Sequence, residues 1–139
     1  MSEKKRVLIL CTGNSARSQM AEGILRDMNE GRYDVESAGL EPSHVRPEAI
    51  EVMKEIGIDI SNHRSKSVDE FTGQHFDYVI TVCDNANERC PLFPAGTECM
   101  HSSFSDPAAV SGSDEIRLAA FRKVRDQILD RFREKFGSI

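Results

Sequence analysis

A short apolar run that leads directly into a polar loop and then into a helical pattern is the feature that most constrains the fold. The apolar run is "RVLIL" (Arg6 to Leu10), and the loop is "CTGNSARS" (Cys11 to Ser18). Apolar residues then recur on one helical face at Met20, Ile24, Leu25 and Met28. A continuous apolar run of this length is typical of a strand that is covered on both faces. The stretch therefore predicts a strand, a tight loop and a helix from Ser18 to Asn29.

The same alternation of strand and helix patterns continues along the chain. Strand patterns span Tyr33 to Ala38, Phe76 to Val82 and Thr97 to Ser102, and helix patterns span Pro47 to Ile56 and Ser113 or Asp114 to about Phe136. On the last helix, apolar residues at every fourth position are expected to face inward: Ile116, Ala120, Val124, Ile128, Phe132 and Phe136. Strands that alternate with helices indicate a parallel α/β sheet. We predict a single domain over residues 1–139, a three-layer α/β sandwich with a four-stranded parallel sheet.

Composition and charge argue against several classes of function. The net charge of -5 disfavours broad electrostatic binding to nucleic acid or to anionic lipid. No apolar run reaches the length that spans a membrane, and no secretory signal pattern opens the chain. We therefore expect a cytoplasmic protein with no nucleic-acid and no membrane partner. In that compartment, the four cysteines are expected to be buried, metal-binding or redox-active thiols.

The loop after the first strand has the properties of an anion-binding site. A helix amino end offers unpaired N–H groups and the positive end of the helix dipole. Gly13 leaves the backbone unobstructed and Asn14 tolerates unusual dihedral angles, so that successive N–H groups can point into one concavity. Arg17 adds a planar cation that matches a tetrahedral oxyanion. The predicted anion-binding residues are Thr12, Gly13, Asn14, Ser15, Ala16, Arg17 and Ser18.

Cys11 is the candidate nucleophile of this loop. The electropositive surroundings are expected to lower its pKa into the range of roughly 3.5 to 7.5 that activated thiols show. The Ser18 hydroxyl could donate a hydrogen bond to the sulfur. The alternative is a buried cysteine at a strand end, beside a solvated Arg17.

Cys83 is expected to lie close to Cys11, although the two residues are far apart in sequence. Cys83 ends "YVITVC" as Cys11 ends "VLILC", and parallel strands that each end on a cysteine place both thiols at the same edge of the sheet. Cys90 follows across "DNANER", a segment in which Asp84 can cap a short helix. Simple packing of Cys83 and Cys90 is the alternative.

The other cysteine and the histidines suggest at most a weak metal site. A zinc set would combine Cys83, Cys90, Cys99 and His101, but the spacings lack the paired CxxC ligands usual in zinc sites. We expect no metal, and we expect Cys99 to be a core residue. Three histidines are expected to be surface or loop residues: His44, His63 and His75.

The stretch "CTGNSARSQMAEG" (Cys11 to Gly23) resembles the signature of low-molecular-weight protein tyrosine phosphatases and of the thioredoxin-coupled arsenate reductases that share their fold. The amino-acid sequence of this stretch is similar to that of the reductase branch of the family. "SAG" (Ser37 to Gly39), "DISNH" (Asp59 to His63) and "DP" (Asp106-Pro107) extend the resemblance over nearly the whole chain. Ala16 departs from the family, which often has a cysteine there that takes no part in the redox relay.

This resemblance implies reduction of arsenate to arsenite, with thioredoxin as the electron donor and no bound cofactor. Cys11 would attack arsenate held by the loop and Arg17, and Asp106 would protonate the departing oxygen. Cys83 would then form a disulfide with Cys11, and Cys90 would move it to Cys83–Cys90, where thioredoxin reduces it. Phosphate and sulfate would compete for the oxyanion site, and the protein is expected to be a monomer.

Two other functions remain open from the sequence. A low-molecular-weight protein tyrosine phosphatase needs only one cysteine, and it carries tyrosine after the Asp-Pro pair where this chain has Ala108 and Ala109. A non-catalytic redox or anion sensor would be oxidised stoichiometrically without turnover. The residue patterns alone do not distinguish thioredoxin from glutaredoxin or another thiol donor.

The resemblance also bears on whether an alkali cation binds beside the anion loop. Some members of the family hold a cation beside the loop with oxygen ligands that match Asn14, Glu22 and Ser37, plus an acidic residue that corresponds to Lys66 here. The Lys66 ammonium could take the place of the cation and orient Asn14 and Glu22. We therefore expect no specific activation by potassium; a merely solvated Lys66 is the alternative.

Overall fold

The four predicted strands pair side by side in one parallel sheet. The structure, a computed structural model, describes residues 5–28, 32–71, 73–83 and 97–136. The strands are β1 (Lys5–Cys11), β2 (Tyr33–Gly39), β3 (Tyr78–Thr81) and β4 (Glu98–His101), in the sheet order β2-β1-β3-β4. Each of their pairings is parallel. The predicted α/β fold with a four-stranded parallel sheet is confirmed.

Three helices in the described residues follow the order that the sequence predicts. They are α1 (Arg17–Met28), α2 (Pro47–Lys54) and α3 (Asp114–Phe136), with short 3-10 helices at Val68–Phe71 and Pro107–Ala109. None of these helices is both long enough and apolar enough to cross a membrane. The helix predicted between Cys83 and Cys90, and Cys90 itself, lie outside the described residues.

The limits of α2 follow from a proline and a glycine. Arg46 precedes the helix with an extended ψ of 133°, which is the conformation that a following proline favours, and Pro47 supplies a helical φ at the first position. Gly57 takes a φ of 82°, which directs the chain away from the helical path. The regular helix ends at Lys54, two residues before the predicted Ile56.

The centre of the core is β1, which lies between β2 and β3. The side chains of residues 7–10 have no exposed surface, which explains why this strand is a continuous apolar run rather than an alternating one. Helix α1 packs on β1 and β2 and against α3. This packing places Cys11, the last residue of β1, at the buried end of the central strand.

The inward face of α3 differs from the predicted every-fourth pattern in its first half. Phe121 and Phe132 are fully buried, whereas 54% of Ile116 is exposed. Residues that recur every four positions advance by about 40° per step on a helix of 3.6 residues per turn, so Ile116 lies about 160° from Phe132. Phe121 lies within about 20° of Phe132 and takes the inward position. The prediction that Ile116 faces the core is therefore wrong.

Cys99 is exposed, so the prediction that it is a core residue is also wrong. It lies on β4, which is the edge strand of the sheet and pairs with β3 alone. Both neighbours of Cys99 on the strand are exposed or only half-buried as well. An apolar residue on an edge strand therefore does not reach the core that the central strands form.

The different burial of Phe121 and Ile116 predicts different costs of truncation on the same helix. Phe121→Ala should lower the free energy of unfolding by about 3–5 kcal/mol, because it removes a fully buried ring and leaves a cavity. Ile116→Ala should change it by less than about 1 kcal/mol, because most of the side chain is already in water. Urea denaturation of both variants measures these costs. Equal losses for the two variants would contradict the observed orientation of α3.

Candidate functional site

The ends of three parallel strands meet at one edge of the sheet. Cys11 at the end of β1 is in register with Gly39 at the end of β2, and Leu10 is in register with Thr81 of β3. Cys83 follows two residues after Thr81, and its Sγ lies 3.4 Å from the Thr12 hydroxyl. The structure therefore brings Cys83 to the loop that begins at Cys11, as the parallel-strand argument predicts.

The backbone carbonyls of the anion loop (residues 11–18) are bonded to donors that surround it. The Cys11, Thr12 and Ser15 carbonyls accept from the backbone N–H groups of residues 40, 41 and 46, at 3.2, 2.8 and 2.9 Å. The Asn14 carbonyl accepts from the Gln19 side chain at 3.0 Å. In a trans peptide the N–H points opposite to the C=O. Carbonyls that are turned outward therefore leave the N–H groups available for an anion.

Gly39 is the residue on which the loop rests. A Cβ atom at this position would lie 2.7 Å from the Thr12 carbonyl oxygen and 2.9 Å from the Asn14 nitrogen, both of them backbone atoms. Real Cβ atoms essentially never approach backbone so closely. The glycine of the "SAG" segment therefore allows the end of β2 to support the loop directly.

Asn14 holds the loop from the inside through its side chain. Among the described residues, it is the non-glycine residue that takes a positive φ, of 47°, and it is fully buried. Its Nδ2 donates to the Ser18 hydroxyl at 2.8 Å and to the Ser37 hydroxyl at 3.0 Å, and Ser37 donates to Glu22 at 2.5 Å. Because Ser18 accepts from Asn14, its own hydroxyl hydrogen is free to point elsewhere, including toward the loop. The Asn14 Oδ1 accepts a hydrogen bond from Gln19 Nε2 at 3.0 Å.

A charged cluster lies behind this network. Lys66 is buried, and its Nζ lies 3.3 Å from a Glu36 oxygen and 3.8 Å from a Glu22 oxygen. Arg26 forms a second ion pair with Glu22 at 2.7 Å. The backbone N–H of Lys66 donates to Asn14 Oδ1 at 2.8 Å. Lys66 is therefore not a merely solvated side chain, which favours the prediction that its ammonium takes the place of a cation.

His63 belongs to the same cluster, although the sequence predicts a surface or loop residue. It lies in a loop, but only 10% of its side chain is exposed. Its Nδ1 lies 3.0 Å from Gln19 Oε1 and its Nε2 lies 3.2 Å from an Arg26 nitrogen. Burial lowers the pKa of His63, and Glu22 opposes that shift. Because Gln19 and His63 are 44 positions apart, local sequence patterns do not reveal this contact.

Arg17 and Asp106 meet above the loop. Arg17 Nη1 donates to the Phe104 carbonyl at 3.2 Å, and Nη2 lies 3.8 Å from an Asp106 oxygen. Asp106 is 44% exposed at its side chain, and its other oxygen accepts from the Ala108 N–H at 3.0 Å, at the start of a 3-10 helix. Arg17 Nε is buried and has no hydrogen-bond partner among the described residues. An unpaired buried guanidinium N–H is unfavourable, and an oxyanion acceptor would satisfy it.

Cys11 and Cys83 are buried, neither forms a disulfide, and a side-chain hydrogen bond links the two thiols. The contact with Cys83 raises the pKa of the Cys11 thiol far above its ordinary value, and burial raises it further. The charge of Arg17 and the backbone N–H of Thr12 act in the opposite direction without reversing the shift. The prediction of a lowered Cys11 pKa is therefore wrong, because the sequence does not show how closely a second buried thiol approaches the first.

The described residues contain no group of three or more histidine, cysteine or carboxylate side chains arranged to hold a metal ion. Of the zinc set considered above, His101 is hydrogen-bonded through Nδ1 to the Thr81 hydroxyl at 2.7 Å. Cys90, the remaining member of that set, lies outside the described residues.

Removing the Cys83 thiol should lower the pKa of Cys11. Cys83→Ala deletes the largest cause of the upward shift and leaves Arg17 in place. Because the thiolate is the reactive form, the midpoint of Cys11 alkylation should move to lower pH in this variant. Alkylation rates between pH 5 and about 11, measured on the Cys11 peptide by mass spectrometry, provide the test. Cys99→Ala is the matched control, and an unchanged midpoint in Cys83→Ala would contradict the assigned cause.

Potassium should have no specific effect, because the Lys66 ammonium already lies beside Glu22 and Glu36. Activity and melting temperature should agree between potassium chloride and sodium chloride at matched ionic strength. Higher activity or a higher melting temperature in potassium chloride than in sodium chloride would show that a cation still binds. Lys66→Gln is the comparison variant, and it should melt at a lower temperature because it leaves buried carboxylate charge less compensated.

The chain matches known proteins over nearly its whole length. Residues 6–138 match the family model of low molecular weight phosphotyrosine protein phosphatases. An arsenate reductase of Halalkalibacterium halodurans is 48% identical over 125 residues, which are 90% of each chain. A solved arsenate reductase in the oxidized state is 35% identical with a TM-score of 0.80, over 94% of this chain and 95% of that chain. A thioredoxin-dependent arsenate reductase of Corynebacterium glutamicum is 29% identical with a TM-score of 0.75, over 99% of this chain and 62% of that chain.

These matches agree with the geometry of the site. The matched residues include the anion loop, Gly39, Cys83 and the Asp106-Pro107 pair. The resemblance that the sequence indicates is confirmed, for the shared fold and for the arsenate reductases within it. The chain is a member of the low-molecular-weight phosphotyrosine protein phosphatase family.

Proposed function

We propose that this protein reduces arsenate to arsenite through a relay of thiols and disulfides that thioredoxin recycles. The observation that carries the proposal is the hydrogen bond between the buried thiols of Cys11 and Cys83, which form no disulfide, at the anion loop. Reduction of As(V) to As(III) requires two electrons, which a pair of thiols supplies when it becomes a disulfide. The similarity to arsenate reductases supports the same reaction. We include in the proposal that the protein acts as a cytoplasmic monomer without a bound metal or organic cofactor.

Arsenate would bind where the loop N–H groups and Arg17 converge. The outward hydrogen bonds of the loop carbonyls leave the N–H groups available, and Arg17 Nε, which has no partner within the described part of the chain, provides a further donor. Phosphate and sulfate have the same tetrahedral shape and would compete. Helix α1, which begins at Arg17, adds the positive end of its dipole.

The first chemical step is attack of the Cys11 sulfur on arsenic. The raised pKa of Cys11 means that the thiol must first lose its proton, and the bound arsenate dianion is a suitable acceptor. The thiolate then displaces one arsenate oxygen, which leaves as water after it receives a proton from Asp106. Asp106 is suitably placed for this role, since its carboxylate lies beside Arg17 at 3.8 Å and is partly open to solvent.

The second step uses Cys83 as the resolving thiol. Its sulfur attacks the Cys11 sulfur of the thiol–arsenic adduct and forms a Cys11–Cys83 disulfide. The electron pair of the broken S–As bond stays on arsenic, which leaves as arsenite with the proton of the Cys83 thiol. The Thr12 hydroxyl, 3.4 Å from the Cys83 sulfur, can donate to the thiolate as it forms.

The third step restores Cys11. Cys90 would attack Cys83, release the Cys11 thiol and leave a Cys83–Cys90 disulfide, which the thioredoxin dithiol reduces by exchange. Cys90 lies outside the described residues, so this step depends on the sequence and on the family. The similarity to a thioredoxin-dependent arsenate reductase supports thioredoxin as the donor.

The phosphatase alternative would use the same oxyanion site without the second thiol. The two residues directly after Pro107 are Ala108, which is half-buried, and Ala109, which is exposed, so they form no aromatic wall for phosphotyrosine. The sensor alternative predicts oxidation without turnover. A coupled assay with arsenate, thioredoxin, thioredoxin reductase and NADPH separates the three functions, together with a phosphate-release assay on an aryl phosphate without a thiol donor.

Cysteine variants should divide the reaction into its steps. Cys11→Ser should abolish both arsenate reduction and any phosphate release, because the nucleophile is lost. Cys83→Ser and Cys90→Ser should abolish sustained reduction but retain phosphate release, because hydrolysis needs only Cys11. The coupled assay and the phosphate-release assay on each variant give the measurement.

Cys99→Ser is the matched control, because this thiol is exposed on the edge strand. It should turn over like the wild type. Normal turnover of the Cys90 variant with thioredoxin would show that the three-thiol relay is wrong. Phosphate release without any arsenate reduction by the wild type would favour the phosphatase.

A further inference from the structure

The segment of residues 64–67, here called the brace, contacts the anion loop through Ser65 and Lys66 and contacts helix α1 through Arg64. The Arg64 carbonyl accepts from Gln19 Nε2 at 3.0 Å, and the Lys66 N–H donates to Asn14 Oδ1 at 2.8 Å. Between them, the Ser65 hydroxyl donates to the Gly13 carbonyl at 2.9 Å. The brace is itself fixed to β2, because Gly39 N–H donates to the Lys66 carbonyl at 2.8 Å.

Ser65 differs from most other donors to the loop carbonyls because it acts through a side chain. Its oxygen also accepts from the Ser43 N–H at 3.0 Å, and that N–H lies 3.1 Å from the same Gly13 carbonyl. The hydroxyl therefore donates its one hydrogen to Gly13 and is oriented by Ser43. Since Arg64 and Lys66 are both held by their own contacts, the hydroxyl is presented to Gly13 at little further cost in conformational entropy.

The Gly13 carbonyl belongs to the peptide that most needs an external hydrogen bond. The peptide joins a glycine, which restricts its backbone least, to Asn14, whose φ of 47° lies in the left-handed region that L-residues seldom adopt. Neither residue strongly favours the observed orientation by itself. The C=O of Gly13 and the N–H of Asn14 point in opposite directions in this peptide, so holding the carbonyl toward Ser65 also directs the Asn14 N–H.

We propose that Ser65 is a positioning residue for oxyanion binding, which acts by holding the Gly13 carbonyl away from the anion. The proposal rests on the function proposed above, in which the loop binds arsenate and its analogues. Without the hydroxyl, the Gly13 carbonyl keeps one donor and the peptide is less firmly held. A carbonyl oxygen that turns toward the bound anion would repel it.

The test compares Ser65→Ala with the wild type and with Ser111→Ala, an exposed serine on the loop before α3. Phosphate affinity of the reduced protein is measured by calorimetry, and kcat and KM for arsenate by the coupled assay. Ser65→Ala should weaken phosphate binding and raise KM by roughly three- to tenfold, with kcat within about twofold of the wild type. Ser111→Ala should match the wild type, and Ser65→Thr, which keeps the hydroxyl, should restore the affinity.

If Ser65→Ala binds phosphate as tightly as the wild type, this inference alone is overturned. A lower melting temperature of the variant would not change that result. If the wild type binds no phosphate, the proposed function and this inference both fail. Should Ser65→Ala not fold, the isosteric pair Ser65→Thr and Ser65→Val, which differ in the hydroxyl, gives the same comparison. Tighter binding by the threonine variant supports the inference, and equal binding by the pair overturns it.

Discussion

The parallel pairing of β1 with β2 and β3 is the constraint on which the site depends. Parallel strands end at the same edge of a sheet, so the pairing brings two distant chain segments to the point where β1 passes into the anion loop. The end of β2 supplies Gly39, on which the loop rests, and the end of β3 leads to Cys83. A shift of one residue in the β1–β3 register would turn the Cys83 side chain to the other face of the sheet, away from Cys11.

The orientation of peptide groups, rather than net charge, makes the loop suitable for an anion. The whole chain carries a net charge of -5, yet the loop carbonyls are bonded outward and Arg17 faces the same site. Behind the loop, Lys66 and Arg26 compensate the carboxylates of Glu22 and Glu36. The buried network is therefore nearly balanced in charge, and its hydrogen bonds determine how Asn14 is held.

The contact between Cys11 and Cys83 has two opposed consequences. It raises the pKa of Cys11, which makes the resting thiol a weaker nucleophile. It also keeps a second sulfur within reach of the first, which is what disulfide formation requires. A hydrolytic site gains nothing from this arrangement. In the proposed reaction the cost is offset when the bound oxyanion accepts the Cys11 proton, so that the same pair of thiols serves both attack and resolution.

The sequence by itself determined the order of strands and helices, the anion loop and the approach of Cys83 to Cys11. Each of these depends on local patterns, such as the apolar run before Cys11, or on the rule that parallel strands end at one edge. The tertiary structure alone decided the contacts of His63 and Ser65, the exposure of Ile116 and Cys99, and the direction of the Cys11 pKa shift. These depend on distances and burial between segments up to 72 positions apart in sequence. Periodicity and spacing describe neighbours along the chain, whereas the environment of a side chain is set by whichever segments pack around it.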